Sequence, residues 1–169
     1  MDYGITAALA GMSHVARYGE EWLYNFYQVH RDWVNYDKGP YAFVVPAGQR
    51  DPYATFEMLD ILKFGDVEIH RATAPFTANG KPYAAGSFVV KTAQPYGGFA
   101  KTMLETQVYP DLRLFPGGPP EPPYDVTGHT LWMLTGVTVD QVDKPFEAPL
   151  ELMKAITQLP ATVAAQRSR

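Results

Sequence analysis

The chain has 169 residues, 46% of them hydrophobic, and a formal net charge of −4. This length and composition are typical of one globular domain. The negative charge excludes a strongly basic surface for nucleic acid or anionic lipid. The absence of cysteine excludes disulfides, thiol nucleophiles and cysteine-ligated zinc.

No apolar run reaches the roughly 18 residues that a membrane span needs, so the membrane is not a predicted partner. The first residues also lack the basic region and cleavage site of a signal peptide. If the native protein is exported, we expect its signal sequence to lie upstream of this chain. We predict one domain over residues 1–160 and a disordered tail over residues 161–169.

The N-terminal part predicts one long helix, from Thr6 to Val34, in which Gly19 is the point where the helix can bend or break. The prediction rests on apolar residues that recur at three- and four-residue steps, namely Ile5, Leu9, Met12, Val15, Trp22, Phe26, Val29 and Trp33.

A strand, a helix and a second strand follow. Residues 41–46 form a short apolar run bounded by proline, which is typical of a central parallel strand. Asp51 and Pro52 fit the N-cap and first turn of a helix, and Gly65 is expected to end it in the left-handed conformation. Residues 67–71 alternate as a strand does, so we predict a right-handed β-α-β unit.

The next segment contains Asn79-Gly80, which predicts a hairpin within residues 76–83. A strand at residues 87–91 and a helix through Ala100, Met103 and Leu104 are expected next. Residues 109–124 include six prolines and are predicted to lack regular structure.

The C-terminal part predicts a short helix through Leu131 and Leu134 that ends at Gly136, with Asp125 and Thr127 as its caps. Residues 137–139 are expected to form a strand. A last amphipathic helix is predicted from the spacing of Leu150, Met153, Ile156 and Leu159, with Pro160 at its end.

These elements together predict a three-layer α/β fold with a small, mostly parallel sheet of about four strands. Its outline would be flavodoxin-like or class I amidotransferase-like, with the long helix packed alongside.

The sequence contains no complete catalytic or metal-binding motif. None of the four histidines lies in an HExxH, HxxE or HxH pattern, so we expect separate surface or capping residues: His14, His30, His70 and His129. Ser87 and the other serines lie outside a GxSxG elbow. Gly97-Gly98 matches no phosphate-binding loop and is interpreted as a tight turn.

Two polar clusters are candidate ligand-binding sites. Gln49, Arg50 and Asp51 follow the first predicted strand, where open α/β sheets bind ligands; helix capping by Asp51 and a solvated Arg50 is the structural alternative. The second cluster can orient a ligand or do acid–base chemistry, and capping again explains part of it. Its residues are Asp125, Thr127 and His129.

Several segments together resemble the region downstream of the catalytic domain in large bacterial zinc carboxypeptidase homologues, of the carboxypeptidase A-like superfamily. The most distinctive is proline-rich, with YPDL at 109–112, PGGPP at 116–120 and PPYDVT at 122–127. The others are ARYGEEWLYNFY at 16–27, YAFVVPAGQRDP at 41–52 and AGSFVVKTAQP at 85–95.

The resemblance implies a parent metallopeptidase whose zinc lies in a peptidase domain upstream. The family's zinc ligands and general base have no counterpart in this chain, so no catalytic residue, metal ligand or cofactor is carried over. The function implied is a non-catalytic accessory domain for docking, substrate access or support. Its expected partner is that peptidase domain, or a second copy of the chain through the long helix, by way of Trp22, Phe26 and Trp33.

Two other functions stay open at this point. One is a small-molecule or peptide-binding module that uses the strand ends near Gln49. The other is an independent hydrolase that uses Asp125 and His129.

Overall fold

A computed structural model describes residues 2–122 and 128–156. Within these ranges the chain forms five helices and seven strands. The helices are α1 (Asp2–Arg17), α2 (Gly19–Val34), α3 (Pro52–Phe64), α4 (Gly97–Leu104) and α5 (Leu131–Thr135). The strands are β1 (Ala42–Val45), β2 (His70–Ala72), β3 (Phe76–Ala78), β4 (Lys81–Tyr83), β5 (Phe88–Lys91), β6 (Asp140–Val142) and β7 (Leu150–Leu152). None of the helices in the described ranges has the length and apolar character of a membrane span.

The main sheet has five strands in the order β6-β1-β5-β2-β7, and every neighbouring pair is antiparallel. The predicted mostly parallel, flavodoxin-like sheet is therefore wrong. The apolar run in β1 suggested a parallel strand because all four of its residues are buried. Layers on both faces of the sheet bury them, and such burial does not depend on strand direction.

The predicted strand-helix-strand unit is present, but β5 lies between its two strands. Both β1 and β2 pair with β5 in antiparallel fashion, so they run in the same direction without touching as neighbours. This is a split β-α-β arrangement. The ends of β1 and β2 consequently meet at one end of the sheet, beside the start of α3.

One face of the sheet packs against α3, α4 and α5. Its core includes Phe43, Val45, Met58, Leu62 and Ile69, each at most 1% exposed. The opposite face carries Val44 and Val89, which belong to a second core, and β3 and β4 cover it with side chains that include Phe76 and Tyr83. The fold is thus helices, five-stranded sheet and two-stranded hairpin.

The hairpin predicted from Asn79-Gly80 is confirmed, since β3 pairs with β4 and both turn residues have positive φ angles of 50° and 75°. The hairpin is also tied to the edge strand β6. Lys81 Nζ lies 2.6 Å from a carboxylate oxygen of Asp140, and the Asn79 amide donates to the Gln141 carbonyl at 3.2 Å.

The N-terminal segment forms two helices in place of one long helix, and they are divided beside Gly19, where the sequence allowed a bend or break. The break falls at Tyr18, immediately before Gly19. The amide of Tyr18 still donates to His14 O, and the amide of Trp22 to Tyr18 O, both at 3.0 Å. The break is therefore a local bend and leaves part of the helical hydrogen bonding in place.

Helix ends were partly predictable. Asp51 caps α3 by accepting from the Ala54 amide at 3.1 Å, and Gly136 ends α5 with φ 68°, as predicted. Gly65 does not adopt the left-handed conformation, since its φ is −82° and the following Asp66 has φ 58°. Gly65 is needed for space instead, because a Cβ there would lie 2.3 Å from the Phe99 ring.

Two C-terminal predictions also need correction. The predicted helix that begins at Leu150 is replaced by β7, which pairs with the otherwise free edge of β2; Leu159 and Pro160 lie outside the described residues. The strand predicted at residues 137–139 lies three residues later, in β6. Val137 instead bonds back to Trp132 O at 3.0 Å and joins the core on the helical side.

Candidate functional site

A pocket of about 310 Å³ lies where β1 ends, β5 begins and α3 starts. It occupies the end of the sheet at which the sequence analysis placed a ligand site. It is lined by Pro46, Ala47, Gly48, Gln49, Pro52, Thr55, Phe56, Arg71, Ala85, Gly86 and Phe88. No acidic side chain is among them.

Arg71 provides the only charged side chain that lines this pocket. Arg71 has two cross-strand partners, Phe88 on β5 and the exposed Glu151 on β7. Phe88 pairs in turn with Val45, so these side chains lie on the helical face of the sheet. The Arg71 side chain forms no hydrogen bond or ion pair within residues 2–122 and 128–156. The guanidinium is therefore available to a ligand.

Sequence reasoning did not identify Arg71 as a candidate site residue, although a signal was present. Val67 and Ile69 are fully buried in the core on the helical side, and Arg71 continues their alternation by two residues. Arg71 itself is exposed, so the alternation places its charged side chain beside the core on the helical side, where it reaches solvent and lines the pocket.

The Gln49 side chain lines the pocket, but its amide already serves the structure. Its Nε2 donates to Pro46 O at 3.0 Å and to Thr138 O at 2.9 Å, and its Oε1 accepts from the Thr138 amide at 2.9 Å. Gln49 thus holds the loop after β1 against the loop before β6.

The other two predicted residues of this cluster do not line the pocket. Asp51 uses its carboxylate to cap α3, and Arg50 is exposed. Ser87 lies behind the loops that line the pocket and is fully buried. Its hydroxyl donates to Ala84 O at 2.8 Å and accepts from the Ala47 amide at 3.0 Å. Such a hydroxyl is committed to loop geometry and is inaccessible as a nucleophile.

The second predicted cluster is only partly within the described chain. Asp125 and Thr127 lie outside it, while His129 is half-buried just before α5. The N-cap position of α5 is Thr130, whose hydroxyl donates to the Glu105 carbonyl at 3.3 Å. Within the described residues, no three His, Cys, Asp or Glu side chains form a group that could hold a metal ion.

The N-terminal helices expose many apolar side chains. We call residues 3–27 the helical arm. Every residue from Tyr3 to Tyr18 is exposed, and α2 contains no buried residue. Trp22 and Phe26, predicted as interface residues, are 51% and 59% exposed.

The third predicted interface residue, Trp33, has a different environment. It is half-buried, and its indole packs on Gly97 and Gly98 at the start of α4. His30, one turn earlier, packs edge-on against Tyr96, with ring centroids 5.0 Å apart. The C-terminal half of α2 thus attaches to the domain, and the arm extends from that attachment.

The bend in the arm is lined by aromatic side chains. His14 lies 4.8 Å from Tyr18 and 6.0 Å from Trp22 between ring centroids, and all three line a cleft of about 330 Å³ with Glu21 and Asn25. The bend therefore brings apolar surface from α1 and α2 together on one side.

Comparison of the chain with known protein families, with curated proteins and with solved structures finds no match.

Proposed function

We propose that this chain is a non-catalytic accessory domain of a zinc carboxypeptidase-like protein, and that its helical arm docks onto the peptidase domain of that protein. The observation that carries the proposal is the exposure of the arm's apolar side chains, from Tyr3 to Tyr27.

The composition of α1 supports a covered rather than a solvated arm. Between Tyr3 and Ser13 the helix has no charged residue, and Ile5, Leu9 and Met12 form a stripe that is more than half exposed. A solvated surface helix normally carries charged residues on its outer face. An apolar patch of this length marks an interaction surface.

The attachment of α2 supports a defined position for the arm. Trp33 packs against the start of α4, and His30 packs against Tyr96, the residue before it. These contacts fix the orientation of α2 relative to the domain, and with it the position of its exposed aromatic residues. Large aromatic side chains such as Trp22 and Phe26 are typical anchors of protein interfaces.

The choice of partner rests on the sequence resemblance. Residues 16–27, which include most of the exposed aromatic residues of the arm, are among the segments that resemble the region downstream of zinc carboxypeptidase domains. The proposed role also fits the buried Ser87 hydroxyl, which is engaged with backbone groups and unavailable for catalysis.

The test is titration of this chain with the separately expressed peptidase domain of the parent protein, followed by calorimetry. We expect saturable binding by the unaltered chain and at least about tenfold weaker binding by Trp22→Asp and Phe26→Asp, since aromatic interface anchors contribute about 2 kcal/mol or more. Both residues are exposed, so neither substitution disturbs the core.

The matched control is Leu114→Asp, which places the same charge on another exposed apolar residue, 77% accessible, outside the arm. It should bind as the unaltered chain does. Equal weakening by all three variants, or a stable homodimer through the arm that the peptidase domain does not displace, would contradict the proposal.

A further inference from the structure

We propose that the pocket beside Arg71 binds a small carboxylate that carries an apolar group. This site lies at the end of the sheet, whereas the docking function depends on the helical arm, so the two proposals are independent.

The walls of the pocket select the apolar part of the ligand. Phe56 from α3 and Phe88 from β5 meet edge to face, with ring centroids 6.0 Å apart, and both are half-buried. Pro46, Ala47, Pro52 and Ala85 also contribute to the apolar lining. A volume of about 310 Å³ is at the lower end of the range for small-molecule sites, which suits one ring or a short aliphatic chain.

The charge of the pocket selects the polar part. Among the described residues that line the pocket, Arg71 is the one cation and none is acidic. Glu151 lies opposite Arg71 on β7, but it is exposed, does not line the pocket and forms no ion pair with Arg71. A guanidinium presents parallel N–H donors that match the two oxygens of a carboxylate. One cation among apolar walls favours a monoanion over a nucleotide or another polyphosphate.

The start of α3 adds little to this attraction. Asp51 already occupies the helix N-terminus with its own carboxylate, bonded to the Ala54 amide. Specificity for an anion therefore depends on Arg71, and it can be tested by changing that residue alone.

The pocket is held open by bonds within the chain. Gln49 fixes one loop to Thr138, and Ser87 fixes another by bonding Ala47 and Ala84. Gly86, with φ 88°, lies opposite the guanidinium, and a Cβ there would lie 3.7 Å from the nearest Arg71 nitrogen. A ligand would thus enter a site whose loops are already ordered, which lowers the cost of binding.

The test uses 3-phenylpropionate as the probe and its uncharged analogue 3-phenylpropionamide as the ligand control. Amide shifts of the 15N-labelled chain are followed by NMR at low ionic strength, where ion pairing is least screened. We expect saturable shifts at Ala47, Gly48 and Gly86 with the carboxylate, and roughly fivefold weaker binding of the amide, as for loss of a charge-assisted pair at a partly exposed site.

Three variants make the result specific to the guanidinium. Arg71→Gln should weaken binding of the carboxylate by roughly fivefold and leave binding of the amide unchanged, while Arg71→Lys should keep part of the preference. Arg50→Gln removes a nearby exposed arginine that does not line the pocket, and it should behave as the unaltered chain.

Absence of shifts at the pocket, equal affinity for acid and amide, or no effect of Arg71→Gln would overturn the proposal. Equal weakening by Arg71→Gln and Arg50→Gln would also overturn it, since that result indicates general attraction of anions to the surface. None of these outcomes involves the helical arm, so they leave the docking proposal untouched.

Discussion

The indole of Trp33 packs so closely on Gly98 that a Cβ added to this glycine would lie 2.7 Å from the indole nitrogen. The neighbouring Gly97 is more tightly constrained, because a Cβ there would lie 1.9 Å from the Thr92 carbonyl oxygen. The Gly97-Gly98 pair was interpreted from sequence as a tight turn. It also forms the surface against which Trp33 of α2 packs.

Gly98→Ala is expected to displace Trp33 and loosen this attachment. Overpacking of a tight contact costs about 1–3 kcal/mol, so the free energy of unfolding should fall by that order and the tryptophan emission should shift to the red. Chemical denaturation followed by fluorescence measures both. Gly11→Ala is the control: nothing lies within 4 Å of its added Cβ, and alanine in that helix should be neutral or stabilising.

Gln94 is a second position with a structural role that is specific to its side chain. It is 2% exposed, its Oε1 accepts from the Glu68 amide at 2.6 Å, and its Nε2 donates to the carbonyls of Glu68 and Lys91. It thus acts as a strand partner for Glu68, just before β2 begins.

Replacement of Gln94 by Ala should lower the free energy of unfolding by about 2–3 kcal/mol, because buried backbone groups lose their partners. Gln94→Glu should be at least as harmful at neutral pH, since a carboxylate would face two carbonyl oxygens, and less harmful in acid, where the carboxyl can donate. Urea denaturation at two pH values measures this. Exposed Gln107 is the control, and comparable losses from Gln107→Ala would contradict the assignment.

Ionisation of Tyr83 is expected to lower the free energy of unfolding at high pH. Burial, followed by the charge of Asp140 and a hydrogen bond to it, raises the pKa of Tyr83 to about 12. The unfolded chain has a tyrosine pKa near 10, so the folded state holds this proton more tightly. The resulting stabilisation is complete below pH 10 and is lost as the pH rises from about 10 to about 12.

Denaturation midpoints should therefore fall across this pH window, and Tyr83→Phe should reduce the slope of that fall. Tyr109→Phe, at an exposed tyrosine, should leave the slope unchanged. Equal slopes for the unaltered chain and Tyr83→Phe would show that Tyr83 is not responsible.

Ser87 gives a prediction about the rim of the pocket. Ser87→Ala removes the acceptor for the Ala47 amide and the donor to Ala84, so we expect a loss of about 1–3 kcal/mol in the free energy of unfolding. Thermal denaturation measures it, with Ser13→Ala on exposed α1 as the control. A loss no larger than that of Ser13→Ala would contradict the role given to this hydroxyl.

Local features were predictable from sequence because neighbouring residues determine them. Asp51-Pro52 begins a helix, Asn79-Gly80 closes a hairpin and Gly136 ends a helix, each through the conformational preferences of those residues. The direction of the strands was not predictable in this way. It depends on β5 entering between β1 and β2, and β5 pairs with β1 across more than forty residues of sequence.

In the candidate site, too, the features set by neighbouring residues were predictable and those set by distant pairings were not. The pocket lies beyond the end of β1, where the sequence predicted a ligand site, but Arg71 was taken as part of a strand. The position of Arg71 at the pocket depends on Phe88, its cross-strand partner on β5, and on Phe56 of α3, which contacts Phe88. Gln49, predicted as a ligand-binding residue, lines the pocket, and its amide is also bonded to Thr138.

We propose that a peptidase domain of the parent protein covers the helical arm. Hydrogen–deuterium exchange of the arm's backbone amides, compared between this chain alone and the whole parent protein, tests it most directly. We predict fast exchange over residues 3–27 in the chain alone and strong protection of the same amides in the parent, with little change at β1 or β5. Equal exchange of the arm in both, or a parent without a peptidase domain, would contradict the account.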